Sequence, residues 1–174
     1  KGECLLRTSH YPCPSREGQM WCAAHTDIDF FTILPFSSEE GLQLLRDGEW
    51  IDVKIPANAF IINGGDKMQN LTNGYYKSAF HRVVSKSNAE RYSVVYFIHP
   101  RLDDSNSPRE TAIELTGGVK RYPDATSLDL VARRLVEIGL ASPELIKFDQ
   151  ESDFINRVRD LVDAGVAADP VQLT

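Results

Sequence analysis

The chemistry within reach of this chain rests on two histidines, an aspartate, an arginine and a serine. His25 and Asp27 stand two positions apart, His81 follows more than fifty residues later, and Arg91 and Ser93 come ten and twelve positions after that. Two imidazoles and one carboxylate can hold one face of a ferrous ion and leave its other positions open for oxygen and a substrate. An arginine presents a planar donor fork that pairs bidentately with a carboxylate, and a serine hydroxyl two places on adds a hydrogen bond to the same group. Together the five residues describe an iron centre with an anion clamp beside it.

The spacing has a physical sense. Side chains at i and i+2 of a strand leave from the same face, so His25 and Asp27 can reach one metal while Thr26 points away. Arg91 and Ser93 repeat the arrangement inside Arg91-Tyr92-Ser93-Val94-Val95-Tyr96-Phe97-Ile98, a strongly strand-like run. His81 must be returned by the fold, as a closed or sandwiched antiparallel sheet does. An isolated His-x-Asp usually means a surface histidine near a turn. The distant histidine before a valine-rich strand, and the Arg-x-Ser beyond it, set this pair apart.

The likeness extends past these five positions. Leu6-Arg7-Thr8-Ser9-His10-Tyr11-Pro12-Cys13-Pro14, then Gly41-Leu42-Gln43-Leu44 with Gly48-Glu49-Trp50-Ile51-Asp52-Val53, then Asn63-Gly64-Gly65-Asp66 through Leu71-Thr72-Asn73-Gly74-Tyr75-Tyr76-Lys77-Ser78 and His81-Arg82-Val83 form an ordered series. From Leu5 to about Pro100 the chain resembles the non-haem iron(II), 2-oxoglutarate-dependent dioxygenases of the isopenicillin N synthase-like branch. Ser9 and His10 stand where that family usually has Asn and Tyr, and Tyr11 keeps its place. The resemblance implies that His25, Asp27 and His81 bind Fe(II), and that Arg91 and Ser93 hold the remote carboxylate of 2-oxoglutarate. Tyr11 is a candidate for a further hydrogen bond to that cosubstrate, the alternative being a barrel tyrosine whose hydroxyl meets backbone or water.

The implied reaction couples O2 and the oxidative decarboxylation of 2-oxoglutarate to hydroxylation, desaturation or cyclisation of a small organic substrate. Two alternatives stay open. Some relatives in the branch use the Arg-x-Ser on a substrate carboxylate and need no 2-oxoglutarate. A non-catalytic metal-binding or interaction domain is the other, and the intact triad and clamp argue against it.

The elements that must position these residues read as mainly β with C-terminal helices. About eight strands precede Pro100: Cys4 to Thr8, Met20 to His25, Phe30 to Leu34 broken at Pro35, Leu42 to Leu45 and Trp50 to Val53 flanking an Asp47-Gly48 hairpin turn, Ala59 to Asn63, Arg82 to Ser85, and Tyr92 to Ile98. That count fits a double-stranded β-helix, the jelly-roll or cupin-like arrangement of two sheets around a pocket. Residues 1–100 are therefore expected to form the catalytic core. Residues 101–174 are expected to supply a polar connection and packing helices, with Leu128, Val131, Leu135 and Ile138 on one stripe, a Ser142-Pro143 helix start, and a helical run from Asp149 to Ala164. Asp66 reads as a turn residue, and Asp29 shares a strand face with Asp27. His10 and His99 have no second ligand nearby. Asn70, Tyr75 and Phe97 are candidates for the substrate pocket, with ordinary loop and core roles as the alternative.

Composition narrows the partners. With 174 residues and a net charge of −6, the chain has the size of one domain and no basic field to hold a phosphate backbone, so nucleic acid is not an expected partner. No apolar stretch is long enough to span a bilayer. The three cysteines, Cys4, Cys13 and Cys22, are odd in number and lack zinc-type pairing, which favours reduced thiols and a cytoplasmic setting. The chain opens on Lys1 directly before a strand, whereas the resembling family has a helical N-terminal region that contributes to the pocket. The expectation is that this region is a missing segment of the same protein.

Overall fold

The computed structural model describes residues 2–167. Eight strands run in order: β1 (Leu5–Tyr11), β2 (Met20–His25), β3 (Phe31–Ser37), β4 (Leu42–Arg46), β5 (Glu49–Asp52), β6 (Ile61–Gly64), β7 (His81–Val84) and β8 (Arg91–Ile98). They form two antiparallel four-stranded sheets, ordered β1-β8-β3-β6 and β2-β7-β4-β5. This is the double-stranded β-helix, and it explains how residues remote in sequence meet. β7 lies beside β2, so His81 pairs directly across from His25. β8 lies beside β1, so Arg91 pairs across from Tyr11.

Local chemistry sets the turns. Asp47 and Gly48 both take positive φ, 52° and 83°, the left-handed pair that a tight hairpin between β4 and β5 requires. Pro35, expected to end its strand, lies inside β3. The register against β8 shifts between Ile33 and Phe36, and pairing with β6 stops at Leu34, so the missing N–H of Pro35 falls where the ladder is already interrupted.

One row on the outer face of the first sheet is apolar. Leu6, Tyr96, Ile33 and Ile62 form one register row across its four strands. Leu6 and Ile62 are 62% and 58% exposed.

Two compact units divide the described residues. Residues 4–65 and 78–99 contain every strand, and residues 2–3, 66–77 and 100–167 form the other unit. In the second unit, α1 (Asp66–Leu71) and α2 (Glu110–Leu115) have no clear periodic signal because each is only six residues long. Asp66 is not a turn residue: it opens α1, is buried, and pairs with Arg134 Nη2 at 2.7 Å. α3 (Ser127–Glu137) starts at a Thr126–Asp129 capping box, and α4 (Pro143–Glu151) at the Ser142 cap with Pro143 in its first turn.

The single helix expected from Asp149 to Ala164 is interrupted. α4 ends at Glu151 and α5 spans Phe154–Asp163. Ser152 between them is extended, and its hydroxyl donates to Asp129 Oδ1 at 2.9 Å while accepting from the backbone N–H of Phe154 at 3.1 Å. A side chain that bonds the local backbone in a non-helical shape competes with helix continuation. Asn106, in the stretch expected to be an exposed connection, is buried. No described helix is long and apolar enough to cross a membrane.

Candidate metal centre and anion clamp

His25, Asp27 and His81 each turn a ligand atom toward one point, and the three atoms lie within 4.8 Å of one another. His25 Nε2 is 3.6 Å from Asp27 Oδ1, and His81 Nε2 is 4.0 Å from Asp27 Oδ2. The strand geometry expected for His25-Thr26-Asp27 holds only to His25, where β2 ends; Asp27 lies two residues past the strand, just before a bend at 28–30. Its carboxylate is instead positioned from the opposite sheet. Thr32 on β3 and Asn63 on β6 are register partners, and they donate to Asp27 Oδ2 at 2.6 and 3.0 Å. Oδ1 is thereby left to turn toward the metal.

Each ligand imidazole is held from behind by the main chain. His25 Nδ1 lies 2.7 Å from Ala23 O, and His81 Nδ1 lies 2.9 Å from Ala79 O. A carbonyl can only accept, so Nδ1 carries a proton and Nε2 is the nitrogen left to face a metal.

Gly65 closes the arrangement. A Cβ there would run into the backbone carbonyl and side chain of Asp29 and would lie 2.8 Å from Asp27 O. Asp29 is not in the ligand group; it is fully buried, and its Oδ2 lies 2.8 Å from Thr32 Oγ1. Gly65→Ala is expected to push the 27–29 segment away, costing about 1–3 kcal/mol of stability and weakening metal binding. Unchanged melting and Co(II) affinity in this variant would show that the segment has room to yield.

Protonation follows from the same contacts. The Asp27 carboxylate and the Cys22 thiol raise His25 from 6.5 to about 10, against an opposing effect of burial. Burial pushes Asp27 up, but His25, the nearby His81 and the Thr32 and Asn63 donors outweigh it and hold the group well below the usual carboxylate range. Burial lowers His81, with Asp27 opposing. The metal-free protein at neutral pH therefore carries an imidazolium at His25 beside an ionised Asp27.

A metal must displace that proton. Binding of Co(II) at pH 7 is expected to release about one proton per ion, read by calorimetry in buffers of different ionisation enthalpy. The sign for stability is opposite. The His25–Asp27 pairing stabilises the metal-free fold fully below pH 6.5 and fades as pH rises through about 10. Buffer-independent binding heats at pH 7 would rule out the imidazolium.

The clamp lies in the same cavity. A space of about 310 Å³ is lined by the three ligands together with Tyr11, Arg91 and Ser93. Arg91 is 2% exposed, and its Nε donates to Glu39 O at 3.2 Å. Its guanidinium carbon stands 5.0 Å from the centre of the Tyr11 ring. Burial lowers the Arg91 pKa and Tyr11 opposes the shift. Arg91 Nη1 is buried with no hydrogen-bond partner among the described residues. An unpaired buried donor on a charged fork is costly unless an acceptor arrives.

Among the other candidates, Phe97 lines this cavity. Asn70 does not: it is buried in the helical unit, donating to Asn106 O and Pro123 O. Tyr75 is exposed, edge-on to Tyr76. His10 is exposed and pairs with Glu90 at 2.8 Å. Sequence reasoning passed over Thr32, Asn63 and Gly65 as site residues. The signal was a lone polar side chain on the inward face of each of two otherwise apolar strands, followed by a glycine pair.

Residues 2–100, more than half of the chain, match the 2OG-Fe(II) oxygenase superfamily. The chain belongs to that family. It is 43% identical over 120 residues to 1-aminocyclopropane-1-carboxylate oxidase 5 of Arabidopsis thaliana, covering 67% of this chain and 38% of the relative. It is 44% identical over 104 residues to gibberellin 2-beta-dioxygenase 8 of the same plant, covering 59% and 31%. Among solved structures, a 2OG-Fe(II) oxygenase family protein from Caulobacter crescentus superposes with a TM-score of 0.70 at 33% identity, over 79% of this chain and 46% of that one. JOX2, in a structure with 2OG, Fe and JA, gives 0.64 at 35% identity, over 71% and 37%. The chain thus spans less than half the length of each of these proteins.

The donor set fits the groups named by the 2OG-Fe(II) oxygenase superfamily. Two Nε2 atoms and one carboxylate oxygen on converging elements suit Fe(II) with positions left open. The unpartnered Arg91 donor suits the carboxylate of 2-oxoglutarate.

Proposed function

We propose that this protein uses Fe(II), 2-oxoglutarate and O2 to oxidise a small organic molecule, hydroxylation being the default outcome and desaturation or cyclisation depending on how the substrate is held. The observation that carries this reading is the buried Arg91, with a donor left unsatisfied, in the same cavity as His25, Asp27 and His81. When bound, the iron and 2-oxoglutarate supply the oxidising chemistry, with succinate and carbon dioxide as co-products. The chain supplies position and charge.

His25, Asp27 and His81 hold the metal by three protein atoms and leave its remaining positions to ligands. Arg91 pairs with the remote carboxylate of 2-oxoglutarate, Ser93 on the same face adds a hydroxyl, and Tyr11 flanks the guanidinium. Leu34, Leu44, Val83 and Val95 give the rest of the cavity an apolar lining. The free thiols of Cys4, Cys13 and Cys22 support a reducing, cytoplasmic setting.

Anaerobic titration of the Fe(II)-loaded protein with 2-oxoglutarate tests the reading. A visible charge-transfer band that saturates with cosubstrate is expected, followed by succinate formation when oxygen is admitted. Oxygen consumption with the true substrate but neither band nor succinate would move Arg91 and Ser93 to holding a substrate carboxylate.

A further inference from the structure

The turn that follows β3 folds over the start of β8, where the anion clamp sits. Ser37, the last residue of β3, pairs across from Ser93. The Ser38 N–H donates to Tyr92 O at 2.9 Å, and Ser38 Oγ accepts from the Tyr92 N–H at 2.9 Å. Glu39 O then collects two donors, Ser37 Oγ at 2.6 Å and Arg91 Nε at 3.2 Å. A carbonyl oxygen has two lone pairs, and both are in use here.

The bond to Nε sets a direction. Arg91 meets Glu39 through a neutral carbonyl, while the Glu39 carboxylate accepts from Ser87 Oγ at 3.5 Å, so the positive charge is left for an anion. A guanidinium is planar, and tying Nε fixes the plane of the whole fork. The open edge carries Nη1, which is buried without a partner among the described residues. The carbonyl that ties Nε lies between Ser38 and Glu40, both exposed, where little packing restrains it. Its restraint is the Ser37 hydroxyl, a local bond from side chain to backbone that selects one conformation of the turn.

We propose that Ser37 is a positioning residue of the clamp, acting through Glu39 O to hold the Arg91 fork in the plane that receives the remote carboxylate of 2-oxoglutarate. This rests on the function proposed above, in which that carboxylate is the partner of Arg91.

The test compares 2-oxoglutarate with 2-oxopentanoate, in which a methyl group replaces the remote carboxylate, on protein loaded with Ni(II). The wild type is expected to prefer the diacid by about tenfold or more. Ser37→Ala and Ser37→Val should each weaken 2-oxoglutarate binding about three- to tenfold and leave 2-oxopentanoate and Ni(II) affinity unchanged. Ser37→Thr, which has the shape of the valine variant but keeps the hydroxyl, should retain most of the preference. In an Arg91→Gln background Ser37→Ala should change 2-oxoglutarate binding less than about twofold, because the two residues act as one unit. NMR of the metal-free wild type should show the Arg91 Nε–H exchanging far more slowly than that of the exposed Arg7, and this contrast needs no variant to fold.

An unchanged preference in Ser37→Ala, equal weakening of both oxo acids, a threonine variant no better than the valine one, or additive losses with Arg91→Gln overturns the proposal. Fast exchange of the Arg91 Nε–H in the wild type does so too. A wild-type protein that binds both oxo acids equally condemns the function reading instead. Ser37 is then judged by whether Ser37→Ala speeds exchange of the Arg91 Nε–H in the metal-free protein, and an unchanged rate overturns its positioning role.

Discussion

Asp27→Ala is expected to abolish stoichiometric Fe(II) binding and, with it, all turnover. The carboxylate is the sole anionic ligand in the group, and Thr32 and Asn63 are aimed at it rather than at the metal. The loss in metal affinity should exceed the roughly 10–100-fold typical when a group behind a ligand is removed, a range that Thr32→Val or Asn63→Ala should show. His25→Ala and His81→Ala should behave like Asp27→Ala, since three ligands leave no spare donor. Anaerobic equilibrium dialysis with Fe(II), beside melting of the metal-free variants, separates lost ligation from lost folding. Normal iron content and turnover in His81→Ala would mean that the third ligand lies elsewhere.

Arg91→Leu is the second large effect. Removing one member of a buried, hydrogen-bonded charge pair costs about 2–5 kcal/mol, which corresponds to a rise in the 2-oxoglutarate requirement of roughly thirtyfold to several thousandfold. Iron affinity should stay near that of the wild type, because Arg91 is no part of the ligand group. Ser93→Ala should shift the same requirement more mildly. The decisive comparison is the 2-oxoglutarate KM against the Fe(II) dissociation constant in each variant. A 2-oxoglutarate KM unchanged by Arg91→Leu would remove this arginine from cosubstrate binding.

Much of the barrel was legible because its strands are short, apolar and separated by turn residues, and because the ligand residues are unusual in such surroundings. His25 and His81 stand out by type and spacing, and the family resemblance selects Asp27 over Asp29 as the carboxylate. What holds Asp27 could not be read there. The reading placed it on the strand with His25, but its position is set by a cross-strand pair, Thr32 and Asn63, thirty-one residues apart in sequence. Register between non-consecutive strands leaves no local mark.

The helical part failed for related reasons. α1 and α2 are too short for periodicity to emerge, and Asp66 looked like a turn residue because its partner, Arg134, lies sixty-eight positions away. Ser152 was a serine inside a helical pattern until its bond to Asp129 became visible.

The two carbonyls behind the ligand imidazoles have a consequence for how this centre tolerates change. Both come from the residue two positions before the histidine, Ala23 and Ala79, and both are main-chain atoms. Every amino acid carries the same carbonyl, so the orientation of each ring is indifferent to which side chain stands at 23 or 79 as long as the backbone keeps its path. The support is written into the course of the chain rather than into its alphabet. Positions 23 and 79 can therefore drift, or be chosen freely by a protein engineer reshaping the cavity rim, while the metal continues to meet the same nitrogen of the same tautomer.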